Sequence, residues 1–282
     1  MALEVSVDGL RIELSIIPLE KVKPHEATIP KILDSIIADM ERTNLQRDPI
    51  LIDKKTHAAL DGMHRRAALA ELGARFSLCS QYDYLDDSVK LERWLRYFIA
   101  PSEKFLSELT SLLRLREYSG FEEAVRAVDR GQSRIALLSA GESFVSNRGW
   151  NVPQVYEAVG QIDKLCHEYR IELDYTPESS KFDLFTSESV YLLYPEKLSK
   201  KDVLEVASEG RVLPCKTTRH VVPVRPMGVY FPLDLLKGSS ETACYRELEN
   251  IVSSSKIDLE KREVWYEGRR YSEPLAIFRR NR

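Results

Sequence analysis

Residues 50–73 read ILIDKKTHAALDGMHRRAALAELG. Ile50 to Asp53 is a short apolar strand entered after Pro49, and Ala58 to Leu60 is a second strand ending at Asp61-Gly62. An Ala-rich helix runs from about Met63 to Leu72 and stops at Gly73, where a left-handed cap is expected. The segment predicts strand, hairpin, strand, tight glycine turn, helix. Such a turn presents unpaired backbone N–H groups and the positive end of a helix, a setting that favours phosphate. Gly62 lets the backbone approach a ligand closely, and His64 and Arg65 add polar or charged donors in the first turn. The plainer reading is that Asp61 N-caps the helix and Arg65 lies on a solvated face.

Working outward, Arg11 to Ile17 alternates, with Ile12, Leu14 and Ile16 on one face, as a half-buried strand does. Pro18 to Glu26 reads as a loop, and Leu33, Ile36, Ile37 and Met40 recur at helical spacing after Pro30. Beyond the Gly73 stop, Phe76 to Tyr84 reads as a strand. Long helices are expected over Ser88 to Phe98 and Glu103 to Tyr118, broken at Pro101, and then over Phe121 to Arg130. Arg134 to Ser139 opens a second α/β unit. A helix over Pro153 to Tyr169 and a strand over Glu188 to Leu193 follow. Lys200 to Ser208 forms a helix capped by Ser199 and stopped at Gly210. Val221 to Val224 and Val229 to Phe231 are extended. The tail holds a helix near Glu241 to Val252 and a hairpin, Glu263 to Tyr266 with Arg269 to Tyr271, across Glu267-Gly268. This mixture is α+β. Pro101 and the change to long helices suggest domains over 1–100 and 101–228, with an extension over 229–282.

The chain has 282 residues, a net charge of −3, 43% hydrophobic and 30% charged residues. That balance is globular, not disordered, and long enough for two domains. A pI near 6.1 argues against a protein that coats nucleic acid or anionic membrane. No window approaches the roughly 20 apolar residues of a membrane span, and the acidic start Met1 to Asp8 carries no signal-peptide pattern. Cys79, Cys166, Cys215 and Cys244 lie far apart without a Cys-x-x-Cys pair, which excludes zinc-ribbon and disulfide-scaffold readings. The expectation is a cytoplasmic protein with reduced thiols.

Three polar clusters carry histidine: Lys23-Pro24-His25-Glu26, Asp61-Gly62-Met63-His64-Arg65-Arg66, and Lys216-Thr217-Thr218-Arg219-His220. Each falls at an element end, where a scaffold presents binding groups. The third supplies donors almost exclusively and suits the oxygens of a di- or triphosphate, or else is a solvated turn. Glu26 either takes a proton from an attacking hydroxyl or merely stabilises the following helix through its dipole.

In this order the three clusters resemble the free L-serine kinases of the ParB/sulfiredoxin-like superfamily. The matching runs are Lys23 to Glu26, Leu60 to Arg65 with Leu72-Gly73, and Lys216 to Pro223, within about residues 10–225. The resemblance implies a ParB/sulfiredoxin-like N-terminal domain, a second α/β domain, and an active site in the cleft between them. It implies transfer of a phosphoryl group from ATP or ADP to free L-serine, with Mg²⁺, to give O-phospho-L-serine. Carried over by position, Glu26 is the general base and Asp61 the residue that holds or orients Mg²⁺, directly or through water. Gly62, Met63, His64 and Arg65, with Lys216, Thr217, Thr218, Arg219 and His220, cradle the nucleotide. His25, Trp94 and Thr218 contact the substrate, although Trp94 also suits the core face of an amphipathic helix. Met63 stands where the family commonly has a second histidine. Other readings of the residues are a kinase of another small alcohol and a ParB-like nucleotide-binding regulator. A sulfiredoxin activity is weakest, since only Cys215 adjoins a cluster. No nucleic-acid or membrane partner is expected.

Overall fold

The structure, a computed structural model, describes residues 2–100, 102–146, 149–180 and 189–280. By contacts the chain groups into two compact units. One comprises Met1–Lys90, Leu204–Val212 and His220–Arg282, and the other Leu91–Val203 and Leu213–Arg219. This division falls at Lys90/Leu91, whereas a boundary was expected near residue 100, and residues 229–282 group with the first unit. Glu188, where a strand was expected to begin, and the helix break at Pro101 lie outside the described residues.

The first unit opens with β1 (Ala2–Val7), β2 (Leu10–Pro18), α1 (Pro30–Thr43), β3 (Leu45–Gln46), β4 (Ile50–Asp53), β5 (Ala59–Asp61), α2 (Met63–Glu71) and β6 (Phe76–Tyr82). Its five-stranded sheet has the order β1-β2-β6-β4-β5. The β4–β6 pair is parallel, and the β1–β2, β2–β6 and β4–β5 pairs are antiparallel. β4 is buried along its whole length, which is why Ile50 to Asp53 reads as a continuous apolar run without alternation. α1 takes Pro30 in its first turn and ends at Asn44 in the left-handed region, a C-cap that asparagine tolerates.

The second unit contains most of β7 (Lys90–Ile99), then α3 (Glu103–Leu113), β8 (Leu115–Glu117), α4 (Phe121–Asp129), β9 (Ile135–Leu138) and β10 (Ser143–Ser146). It continues with α5 (Val152–Glu168), β11 (Asp174–Pro177), β12 (Val190–Pro195), the start of α6 (Lys200–Ser208) and the start of β13 (Thr218–Val221). The sheet order is β11-β7-β12-β9-β10-β8, with β13 also paired to β7.

Two expectations are corrected here. Ser88 to Phe98 was expected to be a helix, because Leu91, Trp94, Leu95 and Phe98 fall at helical spacing; it is strand β7. The spacing misleads because Arg93 and Arg96, polar by type, are buried with partners of their own. The buried set of the strand is therefore invisible to hydrophobicity. The helix expected to reach Tyr118 stops at Leu113, where Arg114 turns left-handed and a short strand follows.

The chain returns to the first unit with β14 (Arg225–Met227), β15 (Phe231–Pro232), α7 (Leu233–Gly238), α8 (Glu241–Ser254), β16 (Ser255–Glu260), β17 (Val264–Tyr266), β18 (Arg269–Tyr271) and β19 (Leu275–Arg280). β14, β19 and β16 form a three-stranded sheet, and β17 and β18 form the expected hairpin. One core joins Ile12, Leu14, Ile16, Ile50, Leu78 and Leu69 to Phe231, Leu236, Leu248 and Phe278 of the tail. The tail is thus part of the first unit's interior.

Candidate active site

Glu26 sits on a loop that is tied to the β5–α2 turn along its length. The Lys23 N–H donates to the His57 carbonyl at 3.0 Å, and the Ala59 N–H donates to the Lys23 carbonyl at 2.8 Å. His25 is fully buried, with Nδ1 2.7 Å from the Ala59 carbonyl. At the far end of the loop the Ile29 N–H donates to His64 Nε2 at 2.8 Å. These partners fix both tautomers. A carbonyl only accepts, so His25 Nδ1 carries the proton and Nε2 faces Glu26 Oε1 at 3.7 Å. An amide only donates, so the neutral His64 ring is protonated on Nδ1. Two of the three clusters are thereby built on one frame, and His64 works on the Glu26 loop as well as on its own turn.

The turn itself follows from Gly62. Its φ of +100° is costly for any residue with a side chain, and a Cβ there would lie 2.9 Å from Arg65 Nη2. Gly62 is the N-cap of α2 and makes no side-chain cap bond. The first turn of such a helix directs backbone N–H groups toward the turn, a setting that suits an anion. Arg65 Nη2 donates to the Pro49 carbonyl at 3.0 Å, while its buried Nε has no hydrogen-bond partner among the described residues. The Met63 side chain is buried in the core, so only its backbone belongs to the turn.

Asp61 does not cap the helix. Its Oδ2 accepts from Arg225 Nη1 at 2.5 Å and from Arg269 Nη1 at 3.4 Å. Burial works against its charge, but Arg225, Arg269 and Arg65 outweigh it and hold the carboxyl well below the usual range. Arg225 is itself buried and donates from Nε to Glu273 at 2.8 Å. Among the described residues no three His, Cys, Asp or Glu side chains gather to hold a metal ion. A Mg²⁺ site wants a near-octahedral oxygen set. In phosphoryl-transfer sites one or two carboxylates supply part of that set and donor phosphates and water the rest, so Asp61 is the carboxylate of this turn that would meet Mg²⁺, directly or through water.

His220 is buried at the start of the returning chain, with Nε2 2.8 Å from Tyr84 Oη. Its ring lies 5.7 Å from that of His25, edge to face. Burial, then the nearby His25, pushes it down to about 3. It contributes a neutral hydrogen-bonding group and no charge at neutral pH.

In the second unit, the run Lys216 to Arg219 meets Trp94 on β7, which the helical reading had placed on an amphipathic face. Lys216 Nζ lies 5.1 Å and Arg219 Cζ 5.8 Å from the Trp94 ring centre, within cation–π range. Arg219 pairs with Glu92, two residues from Trp94 and on the same strand face. Thr217 Oγ1 donates to the Pro214 carbonyl at 2.7 Å, and Thr218 is buried. Lys216 has a φ of +56°, and Arg96 holds that turn by donating to the carbonyls of Cys215 and Lys216 at 2.7 and 3.3 Å. Asp163 in turn grips Arg96 at 2.6 and 2.9 Å.

Sequence reasoning missed Tyr84, Glu92, Arg96, Arg225 and Arg269. Arg225 and Arg269 lie 164 and 208 positions from Asp61, beyond any local pattern. Arg96 carried a signal, a positive residue inside an apolar run, but the helical period concealed it.

No family model matches the chain. An ADP-dependent L-serine kinase, SerK, of Thermococcus kodakarensis is 30% identical over 224 residues, covering 77% of this chain and 90% of that protein. The chain belongs to the L-serine kinase family. A second member, an ATP-dependent L-serine kinase of Staphylothermus marinus, is 26% identical and covers 80% of this chain and 92% of its own. Among solved structures, a free serine kinase bound to AMP, a glutamate-to-glutamine mutant, superposes with a TM-score of 0.68 at 28% identity. It covers 79% of this chain and 93% of its own. SbnI of Staphylococcus aureus, C-terminally truncated, reaches a TM-score of 0.70 at 19% identity and covers 85% of this chain and 95% of its own, a likeness of fold. A ParB-like protein of Sulfolobus acidocaldarius is 25% identical over 182 residues, covering 63% of this chain and 90% of that protein.

Proposed function

We propose that this chain phosphorylates free L-serine on its hydroxyl with ATP or ADP as donor, producing O-phospho-L-serine, and that Glu26 is the base. The chain is a family member and a nucleotide-dependent phosphotransferase acting on an alcohol. In the reaction the serine oxygen forms a bond to the donor's terminal phosphorus while the bond from that phosphorus to the bridging oxygen breaks. The hydroxyl proton passes to a Glu26 carboxylate oxygen. Phosphoryl transfer asks for alignment and charge stabilisation more than covalent chemistry. The observation that carries the reading is the lacing of the Glu26 loop to the N-terminal turn of α2 through His25, Ala59 and His64. A base and an anion site on one rigid frame suit an in-line transfer.

His25 would keep Glu26 in place, being fully buried and bonded to backbone. Lys216, Thr217, Thr218, Arg219 and Trp94 would act in the same reaction. The one-sided basicity of that run and its contact with Trp94 support this. Cys79, Cys166, Cys215 and Cys244 form no disulfide, which supports a cytoplasmic enzyme. Among the described residues no helix is long and apolar enough to cross a membrane. Burial pushes Cys79 and Cys166 up to about 12, which suits structural thiols.

The test is an assay of L-serine with Mg²⁺ and either ATP or ADP, following O-phosphoserine for wild type and Glu26→Gln. The wild type makes product with at least one donor, which assigns the donor. Glu26→Gln lowers kcat by about 10²–10⁴, the usual worth of a general base, with nucleotide affinity retained. Unchanged kcat in the variant would remove Glu26 from the mechanism.

A further inference from the structure

We infer that Arg269, on the hairpin of residues 264–271, is a phosphate-chain ligand of the donor nucleotide. The hairpin lies outside the stretch 10–225 that carries the family resemblance. The inference rests on the kinase reading and extends it to a residue of the tail. Asp61 is already answered by the buried Arg225 at 2.5 Å. Arg225 also pairs with Glu273 at 2.8 Å, both side chains being almost inaccessible. Arg269 reaches the same Asp61 oxygen at only 3.4 Å, with 40% of its side chain open to solvent. Counting the groups that act on Asp61, Arg225, Arg269 and Arg65 stand against Asp61 and Glu273, so the cluster carries one surplus positive charge.

That surplus lies beside Asp61, the residue before Gly62, where α2 opens on a glycine N-cap and where the buried Arg65 Nε has no partner among the described residues. A helix N-terminus with glycine as its N-cap, a buried guanidinium nitrogen without a hydrogen-bond partner among the described residues and a half-exposed arginine together describe a receptor for an anion. The hairpin is anchored for this work. Arg47 pairs with Glu267 at 2.7 Å. The Tyr271 ring lies 5.5 Å from the Arg225 guanidinium and 4.9 Å from that of Arg269, which holds Arg269 over the turn. Asp61 acts here as the residue that orients two arginines. The anion best matched to several guanidiniums and a helix end is a phosphate chain, so the contribution of Arg269 grows with the number of phosphates.

The test compares binding of AMP, ADP and ATP by calorimetry in the full chain, for wild type, Arg269→Gln and Arg269→Lys, with Arg270→Gln as a control on the same hairpin. Arg269→Gln weakens ADP and ATP about tenfold, near 1.4 kcal/mol, and AMP less than threefold. Arg269→Lys falls between, because it keeps the charge and loses the fork. Arg270→Gln leaves all three affinities unchanged. Melting temperature in each variant identifies one that has lost its fold, in which case Arg269→Lys carries the comparison. Equal losses for AMP, ADP and ATP, no loss for any of them, or a rise in the serine KM with nucleotide affinity intact would each overturn the inference. A wild type that binds no nucleotide would instead overturn the kinase reading, so the two failures are distinguishable.

Discussion

His220 shows how one buried side chain turns position into a pH dependence. Burial and His25 push it down to about 3, whereas an unfolded histidine titrates near 6.5. Below about pH 6.5 the unfolded chain binds a proton that the folded chain refuses, so stability falls with pH. Between pH 7.5 and 5 this one site removes about 2 kcal/mol. Asp61 does not enter that window, because its depressed value moves its own loss below the ordinary carboxylate range. Urea unfolding at pH 7.5 and pH 5.0 checks this. Wild type loses about 2 kcal/mol more than His220→Gln over the interval, and equal losses would mean that His220 is protonated in the folded state. From sequence the residue was legible as a member of a donor-rich run, and its neutrality was not. The neutral state depends on Tyr84 and His25, 136 and 195 positions away along the chain. The Gly62 turn was legible for the opposite reason, since its surroundings are local: a strand end, a tight turn and a helix start.

At the scale of elements, β7 displays both what hydrophobic periodicity reads and what it misses. The strand–turn–helix of residues 59–71 emerged from the sequence because its apolar positions and its glycine follow local rules. β7 did not, because two of its inward positions are arginines whose acids arrive from other elements: Asp129 and Glu178 for Arg93, and Asp163 for Arg96. The Arg96–Asp163 pair then fixes the left-handed turn at Lys216 through two carbonyls. Removing one partner of a buried pair leaves the other uncompensated. Arg96→Met therefore destabilises the protein by about 3 kcal/mol, and Arg96→Met with Asp163→Leu recovers part of that loss. Denaturant midpoints of the two single variants and the double variant measure the coupling. Purely additive losses would show that the pair does not work as a unit.

At the scale of the whole chain, the tail decides whether the first unit exists at all. A reading along the sequence separates residues 229–282 as an extension, because nothing local ties a helix and a hairpin to a sheet built within the first 82 residues. Yet Phe231, Leu233, Leu236, Cys244, Leu248, Ile251, Ala276 and Phe278 are all buried in the same core as β2, β4 and β6. The tail also ties itself to the β5–α2 turn, through Arg269 to Asp61. Fully burying a large apolar side chain contributes about 1.5–3 kcal/mol. Eight such residues, even discounted for the smaller alanine and cysteine, match or exceed a typical net stability of about 5–15 kcal/mol. A chain ending at Met227 therefore does not give a folded first unit. Circular dichroism melting and amide hydrogen exchange of that truncation check the point, and the expected result is loss of the cooperative transition and of protection in β2, β4 and β6. A truncated protein that melts cooperatively with those strands protected would show that the tail is a detachable cover. Arg269 would then act from outside the fold, and the Glu26 frame would stand without it.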